Sequence, residues 1–368
     1  MSVGEGNSTG TATAPATATV TATLRRDLGL LGLVATGVCA MMGAGVNVVP
    51  FMIQRNVPGI GPWVLFAYGL GIVPALLTAF CYASLASAMP RAGGSYVFAS
   101  RSLSPYLGFV ASFSQWFGLS MAIGVVSYVL VPFLRDIADA LSLAGLVAVF
   151  ETSPVRLLLP LGFLWLFTIV NLLGAKAYER TLVPLMFVMF AGGLVAIPAG
   201  FYFDHDDFIS AVTLREGLPP TLAEGSGFSW GAVLSASVLL FSSFIGFDAV
   251  AQAGGEARRP GRNLPLAIVI SIVGVGTYYI VFTAAVYHAV PWNFIAERAV
   301  DTDLTAPGLL GYLLSPGWTV WIVAAATIAL ANDLPAMILS VSRLVFAWAE
   351  DGIFAKPFAA VSERFHTP

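Results

Sequence analysis

Two carboxylic acids fall deep inside apolar runs, Asp248 and Asp333. An ionised carboxylate at the middle of a membrane costs roughly 2.5–3.5 kcal/mol on insertion scales, so such a residue faces a cavity or a partner. The chemistry open to it is to take up and release a proton, or to hold a cation. The plainer reading is a protonated carboxyl that only packs. Asp333 stands beside Asn332 and two residues before Pro335, which also fits repair of backbone freed by a proline kink. Two apolar runs carry glycine at their middle. One reads Met41-Met42-Gly43-Ala44-Gly45-Val46-Asn47 with Pro50 after it, the other Ser242-Ser243-Phe244-Ile245-Gly246-Phe247-Asp248. Glycine permits non-helical backbone, and an interrupted helix bares N–H groups on one half and C=O groups on the other. Such ends hold the anionic and cationic groups of one small molecule. Close helix packing explains a lone Gly43-Ala44-Gly45 equally well. Two interrupted segments, each opening a five-helix unit, favour a binding site.

Other chemistries find no residues to run them. His205, His288 and His366 lie far apart with no metal-ligand spacing, and Cys39 and Cys81 sit in apolar runs where packing is their expected role. No nucleophile elbow, P-loop or dinucleotide fingerprint occurs. Gly254-Gly255 and the arginines after it lack the order that phosphate binding needs and read as a solvated loop. A net charge of −3 leaves no basic footprint for nucleic acid. No enzymatic activity, metal or cofactor is expected.

The elements that must position these residues follow from composition. Of 368 residues 58% are hydrophobic and 10% charged, with mean hydropathy +0.85. Soluble domains have about 25% charged residues. The chain is therefore expected to be an all-α polytopic membrane protein in contact with the lipid bilayer. A hydrocarbon core about 30 Å thick needs about 20 apolar residues per helix. Eight segments reach that length, near 30–54, 62–89, 105–134, 156–174, 182–203, 230–253, 264–290 and 318–348. With the N-terminus inside, twelve of the 17 Lys and Arg fall on the cytoplasmic side, as the positive-inside rule requires. An even number of spans puts both termini of this chain in the cytoplasm. Residues 1–27 read as a disordered tail, being Thr, Ala, Gly and Ser-rich up to residue 23 with Glu5 as the one charge there.

The motifs resemble those of the amino acid–polyamine–organocation (APC) superfamily of permeases. Met42-Gly43-Ala44-Gly45-Val46 is similar to the first-helix signature. Met89-Pro90-Arg91-Ala92-Gly93-Gly94-Ser95-Tyr96-Val97 resembles the loop after the second helix. Phe244-Ile245-Gly246-Phe247-Asp248, then Gly255-Glu256, Pro260 and Asn263-Leu264-Pro265, resembles the sixth-helix region. Ser342-Arg343-Leu344 and Ala349-Glu350-Asp351-Gly352 resemble the end of the eighth.

The resemblance implies a LeuT-like inverted repeat of five plus five helices. Residues 28–203 would be the first repeat, 204–229 an extracellular loop, 230–349 part of the second repeat and 350–368 a cytoplasmic segment. It implies a secondary active carrier of an amino acid or related amine in the plasma membrane, working by alternating access. A channel or non-transporting receptor on the same scaffold is the alternative. Implied substrate-site residues are Met41, Met42, Gly43, Ala44 and Gly45 on the first helix and Gln115 and Leu119 on the third. Ser242, Ser243, Phe244, Ile245, Gly246 and Phe247 on the sixth and Met337 on the eighth complete the set. The substrate carboxylate would meet N–H groups near Ala44 and Gly45, and its ammonium the carbonyls of Ser243, Phe244 and Ile245. Asp248 matches an acidic position tied to proton coupling, and Asp333 beside the first break is the second coupling candidate, for a proton or sodium.

Three features depart from the family pattern. Asn47 replaces an aromatic or aliphatic residue, and the fifth segment lacks the lysine that some members carry. The family usually has twelve helices, so eight imply truncation after the eighth and no transport by these 368 residues alone.

Overall fold

The computed structural model describes residues 24–141, 143–225 and 227–368. The expected tail lies outside the described residues up to position 23. Of the rest of it, Asp27 pairs with Arg25 at 3.2 Å and with Arg258 at 3.6 Å.

The chain is helical, with two isolated β-bridges and no strand among the described residues. The first apolar segment is broken into α1 (Leu30–Cys39), α2 (Ala44–Asn47) and α3 (Val49–Asn56). Then follow α4 (Val64–Ala88), α5 (Gly94–Ser102), α6 (Pro105–Ala140), α7 (Ala144–Glu151), α8 (Ser153–Leu172) and α9 (Ala175–Tyr202). The second half holds α10 (His205–Glu216), α11 (Trp230–Phe241), α12 (Ala249–Gln252), α13 (Pro260–Ala289), α14 (Trp292–Asp301), α15 (Ala306–Leu310) and α16 (Pro316–Glu350). Among the described residues seven helical stretches are long and apolar enough to cross a membrane, which with the broken first segment accounts for the eight expected spans.

Packing separates the central helices from those facing lipid. In α16, 78% of the most apolar window is buried, against 11% in α8. Accordingly α16 runs between α6, α9 and α8, whereas Leu157 and Trp165 of α8 are more than 60% exposed. A helix apolar all round belongs either in the core or against lipid, and here both cases occur. Pairing α13 with α4, α1 and α9, and α11 with α4, wraps the two broken helices in continuous ones.

Several loop helices were not expected. The segment 204–229 opens with α10, whose N-terminus is a capping box. Asp204 accepts from the N–H groups of Asp206 and Asp207 at 3.0 Å, and Asp207 accepts from that of Asp204 at 3.2 Å. Gly217 at φ +79 ends the helix in the left-handed conformation. At its last turn Glu216 takes both oxygens onto Arg298 of α14 at 2.6 Å and accepts from Tyr312 at 2.8 Å. The Arg298 guanidinium, then the Tyr312 hydroxyl, hold the Glu216 carboxyl below its usual range.

The arginine-rich end is closed differently. Leu28 bridges Ala257, Ala92 bridges Ala253, and Arg343 of α16 forms a buried ion pair with Glu256. The loop at Gly254 is consequently packed rather than solvated as the sequence suggested. A Cβ on Gly254 would lie 2.6 Å from the Arg91 carbonyl oxygen. The reason is the partner: Glu256 is 1% exposed because α16 supplies a guanidinium to it. Tyr96 and Arg101 both bond Asp351, joining α5 to the end of α16, and burial with the Asp351 acceptor pushes the Tyr96 phenol up to about 12.

Candidate functional site

The first break follows from two small residues meeting large polar ones. Helix α1 ends at Cys39, and Gly43 (φ −83, ψ −100) has left helical geometry. A Cβ on Gly43 would lie 1.7 Å from Asp333 Oδ2, so the acid of α16 fills the space a side chain would need. At Gly45 the same test meets the Tyr279 hydroxyl at 2.6 Å and Ser243 Cβ at 3.1 Å. Asn47, the departure from the family pattern, donates from Nδ2 to the Gly43 carbonyl at 3.1 Å and satisfies a group the break has freed. Val48 (φ −127, ψ −54) then separates α2 from α3.

The second break is set by its glycine. A tight turn over Ser242–Phe244 leads to extended Ile245 (φ −68, ψ 124), and Gly246 adopts φ +138, a region L side chains rarely enter. Asp248 Oδ1 accepts from the Gly246 N–H at 3.1 Å before α12 resumes the helix.

The two breaks touch. A Cβ on Gly246 would lie 2.2 Å from the Ala40 carbonyl oxygen. Ala40, Ala249 and Ala336 form one small cluster joining the first break, α12 and α16. Phe244 is wholly buried between Tyr68 (5.8 Å between centroids) and Tyr279 (5.4 Å), so it packs. Phe247 stands edge-on to Tyr82 at 5.6 Å.

The two acids have different surroundings. Asp333 is 3% exposed and no basic side chain pairs with it among the described residues. Its Oδ1 and the neighbouring Asn332 Oδ1 have no partner, while Asn332 Nδ2 donates to Cys39 Sγ at 2.9 Å and to the Leu182 carbonyl at 3.3 Å. Beside it, Asn171 Nδ2 of α8 donates to the Pro335 carbonyl at 3.2 Å and ties α8 to α16. Asp248 Oδ2 accepts from the Gln115 amide, whose oxygen in turn accepts from Ser95 and, at 3.2 Å, from Gln252. This chain of bonds lies at the edge of a cavity of about 570 Å³ between α4, α5, α6 and the second break, lined elsewhere by Tyr82, Leu85, Phe98, Phe241, Ile245 and Phe247. That is the size range of small-molecule sites, about 300–1,000 Å³.

The structure thus brings Gly43, Gly45, Ser243 and Gly246 into one region, with Met41 supplying a carbonyl. Met42 lies beside a void with about 20 Å³ of room, enough for one water. Met337 packs in the same apolar cluster as Ala44. Ser242 is exposed and bonded to the Leu239 carbonyl at 2.6 Å. Gln115 meets Asp248 rather than the first break, and Leu119 stands half-buried one turn further along α6. Sequence reasoning missed Tyr68 and Tyr279. The Tyr68 hydroxyl donates to the Gly45 carbonyl at 3.0 Å, and that of Tyr279 reaches the carbonyls of Met41 and, at 3.2 Å, Ser243. The available signal was a phenol in mid-span, whose O–H needs a partner when buried.

Comparison with known proteins decides the family. The amino acid permease profile matches residues 28–368. The chain belongs to the amino acid permease family. Among this chain's relatives is human cationic amino acid transporter 4, 27% identical over 94% of this chain and 53% of its own length. The cadaverine/lysine antiporter of Escherichia coli K12 is 26% identical over 91% of this chain and 70% of its own length. The branched-chain amino acid permease BcaP of Bacillus subtilis is 23% identical over 94% and 72% respectively. The chain spans about half the length of the first of these. Among solved structures, that of MhsT in complex with L-phenylalanine superposes with TM-score 0.58 at 16% identity, over 92% of this chain and 77% of that one. The likeness shows the fold, the LeuT-like inverted repeat of a multi-pass membrane protein.

Proposed function

We propose that this permease is part or all of a secondary active carrier that moves amino acids or related amines by alternating access. The observation that carries the reading is the contact between two membrane helices, both interrupted at the contact. Freed backbone groups there suit a zwitterion, N–H groups at Ala44 and Gly45 for its carboxylate and carbonyls at Ser243 to Ile245 for its ammonium. Because Gly246 and Ala40 touch, a substrate reaches both sets only when the breaks part. The relatives' names, covering cationic amino acids, cadaverine and lysine, and branched-chain amino acids, support the substrate class.

Coupling is assigned to the two acids. Asp248, bonded to neutral amides only, exchanges a proton as the cavity beside it wets and dries. Asp333, with an unpartnered oxygen at the first break, holds a proton or a sodium ion. The protein is proposed to lie in the plasma membrane with both ends of this chain in the cytoplasm, on the charge asymmetry of its loops. The functional reading is of a carrier, with no enzymatic step.

The test is counterflow in proteoliposomes of a full-length form with radiolabelled L-lysine, cadaverine and L-leucine. A carrier shows uptake stimulated by unlabelled substrate inside the vesicle. Uptake without such stimulation would indicate a channel, and none of these probes binding in a thermal-shift screen would refute the substrate class.

A further inference from the structure

The Tyr279 hydroxyl has one proton and faces two carbonyls. One belongs to Met41 in the first break and the other to Ser243 in the second. Tyr279 is wholly buried on α13, and its ring is held by Tyr68 at 5.7 Å and Phe244 at 5.4 Å. Space for the hydroxyl exists because position 45 has no side chain. Tyr68, by contrast, gives its hydroxyl proton to the Gly45 carbonyl of the first break, while its ring packs on Phe244 of the second. The Ser243 hydroxyl beside them has no partner.

We infer that Tyr279 is a latch, a positioning residue whose hydroxyl ties the two breaks together in the shut arrangement. A single O–H serves two acceptors poorly, so one carbonyl stays under-satisfied and ready for a better donor. An ammonium carries three N–H donors and a full charge. When the breaks part it takes over the carbonyl the phenol gives up. The latch rests on the carrier reading, because it supposes that substrate enters where the breaks meet.

The sign of its effect separates a latch from a merely structural tyrosine. Loss of the tie weakens the shut arrangement relative to the open one. The competent fraction rises and apparent affinity rises with it. Tyr279→Phe keeps the ring stack and removes the hydroxyl. Relative to wild type it is expected to bind L-lysine or L-leucine about 2- to 12-fold more tightly, the worth of one hydrogen bond. This tightening should accompany a lower Tm, whereas Tyr68→Phe lowers Tm without tightening binding.

Hydrogen–deuterium exchange gives a reading that needs no ligand. In Tyr279→Phe, peptides covering residues 38–47 and 242–250 should speed up together, with α6 and α16 unchanged. Tighter binding and paired exchange support the latch. Unchanged or weaker binding in Tyr279→Phe, while wild type binds, overturns the latch and leaves the carrier reading intact. If wild type binds no probe, the carrier reading fails and exchange alone judges the tie. Acceleration confined to one stretch, or to neither, overturns it.

Discussion

Replacing Gly246 with alanine puts the contact between the breaks to a direct test. Two costs are legible. The residue holds φ +138, which an L side chain adopts at a cost of about 1–3 kcal/mol. The added methyl would also lie 2.2 Å from the Ala40 carbonyl oxygen and 2.6 Å from its carbon. Those are main-chain atoms at the turn after α1, so no rotamer change relieves the clash, and overpacking of this kind costs about 1–3 kcal/mol. Together they predict about 2–6 kcal/mol, a factor of roughly 30 or more in the equilibrium between this arrangement and any in which the breaks are apart. The assay is Tm of the purified protein, with L-lysine binding measured on the same sample. A fall of several degrees is expected. Gly69→Ala in α4 is the control, since a Cβ there meets nothing within 4 Å. Removing a glycine from a helix interior should be neutral or stabilising by about 0.5–1 kcal/mol. If Gly246→Ala melts and binds like wild type, the breaks are not in contact and the reasoning fails.

Further outcomes follow from the same geometry. Asp248→Asn should flatten the pH dependence of uptake while exchange remains measurable, because the group that changes charge is gone. Its amide must also turn Gln115 against donors from Ser95 and Gln252, so about 1–3 kcal/mol of stability should go with it. An unaltered pH profile removes Asp248 from coupling. Glu256→Gln leaves the Arg343 charge buried without its counter-charge, and a loss of about 3–5 kcal/mol is expected in thermal or denaturant melts. The double variant Glu256→Met/Arg343→Leu should be far milder, and equal losses in both would refute the ion-pair account. For Glu216, whose carboxyl is held below its usual range in the folded protein, the linked stability is present above the ordinary glutamate pKa and is lost as pH falls through the lowered one. Melts from pH 7 down to pH 3 should therefore fall more steeply in wild type than in Glu216→Gln, and parallel curves would show that the Arg298 contact does not contribute.

Much of the architecture is legible in the chain because lipid admits few solutions. Apolar length fixes where helices cross, and seven long stretches with one broken helix match the eight segments read from hydropathy. Glycine marks where helices fail, and both interruptions occur at the stretches singled out, Gly43 to Gly45 and Gly246. The capping box of α10 was also readable, from Asp204 and Asp207 three residues apart, but the helix after it carries almost no amphipathic pattern to mark it.

What the sequence by itself determined, then, is one-dimensional. It determined an all-helical membrane chain, the places where two helices come undone, and two acids lodged among apolar residues. Each is a property of a segment and its solvent. Only the tertiary structure decided which groups meet across segments. Asp333 fills the side-chain space of Gly43, Gln115 turns to Asp248 instead of to the first break, and one phenol on α13 reaches both interruptions. Glu256, which looked like a residue of a wet loop, is buried because Arg343 arrives from a helix 87 residues away in sequence. Hydropathy averages over a window and carries no such information. Side-chain partnership depends on helix rotation and packing, and those are settled only when all the helices are assembled.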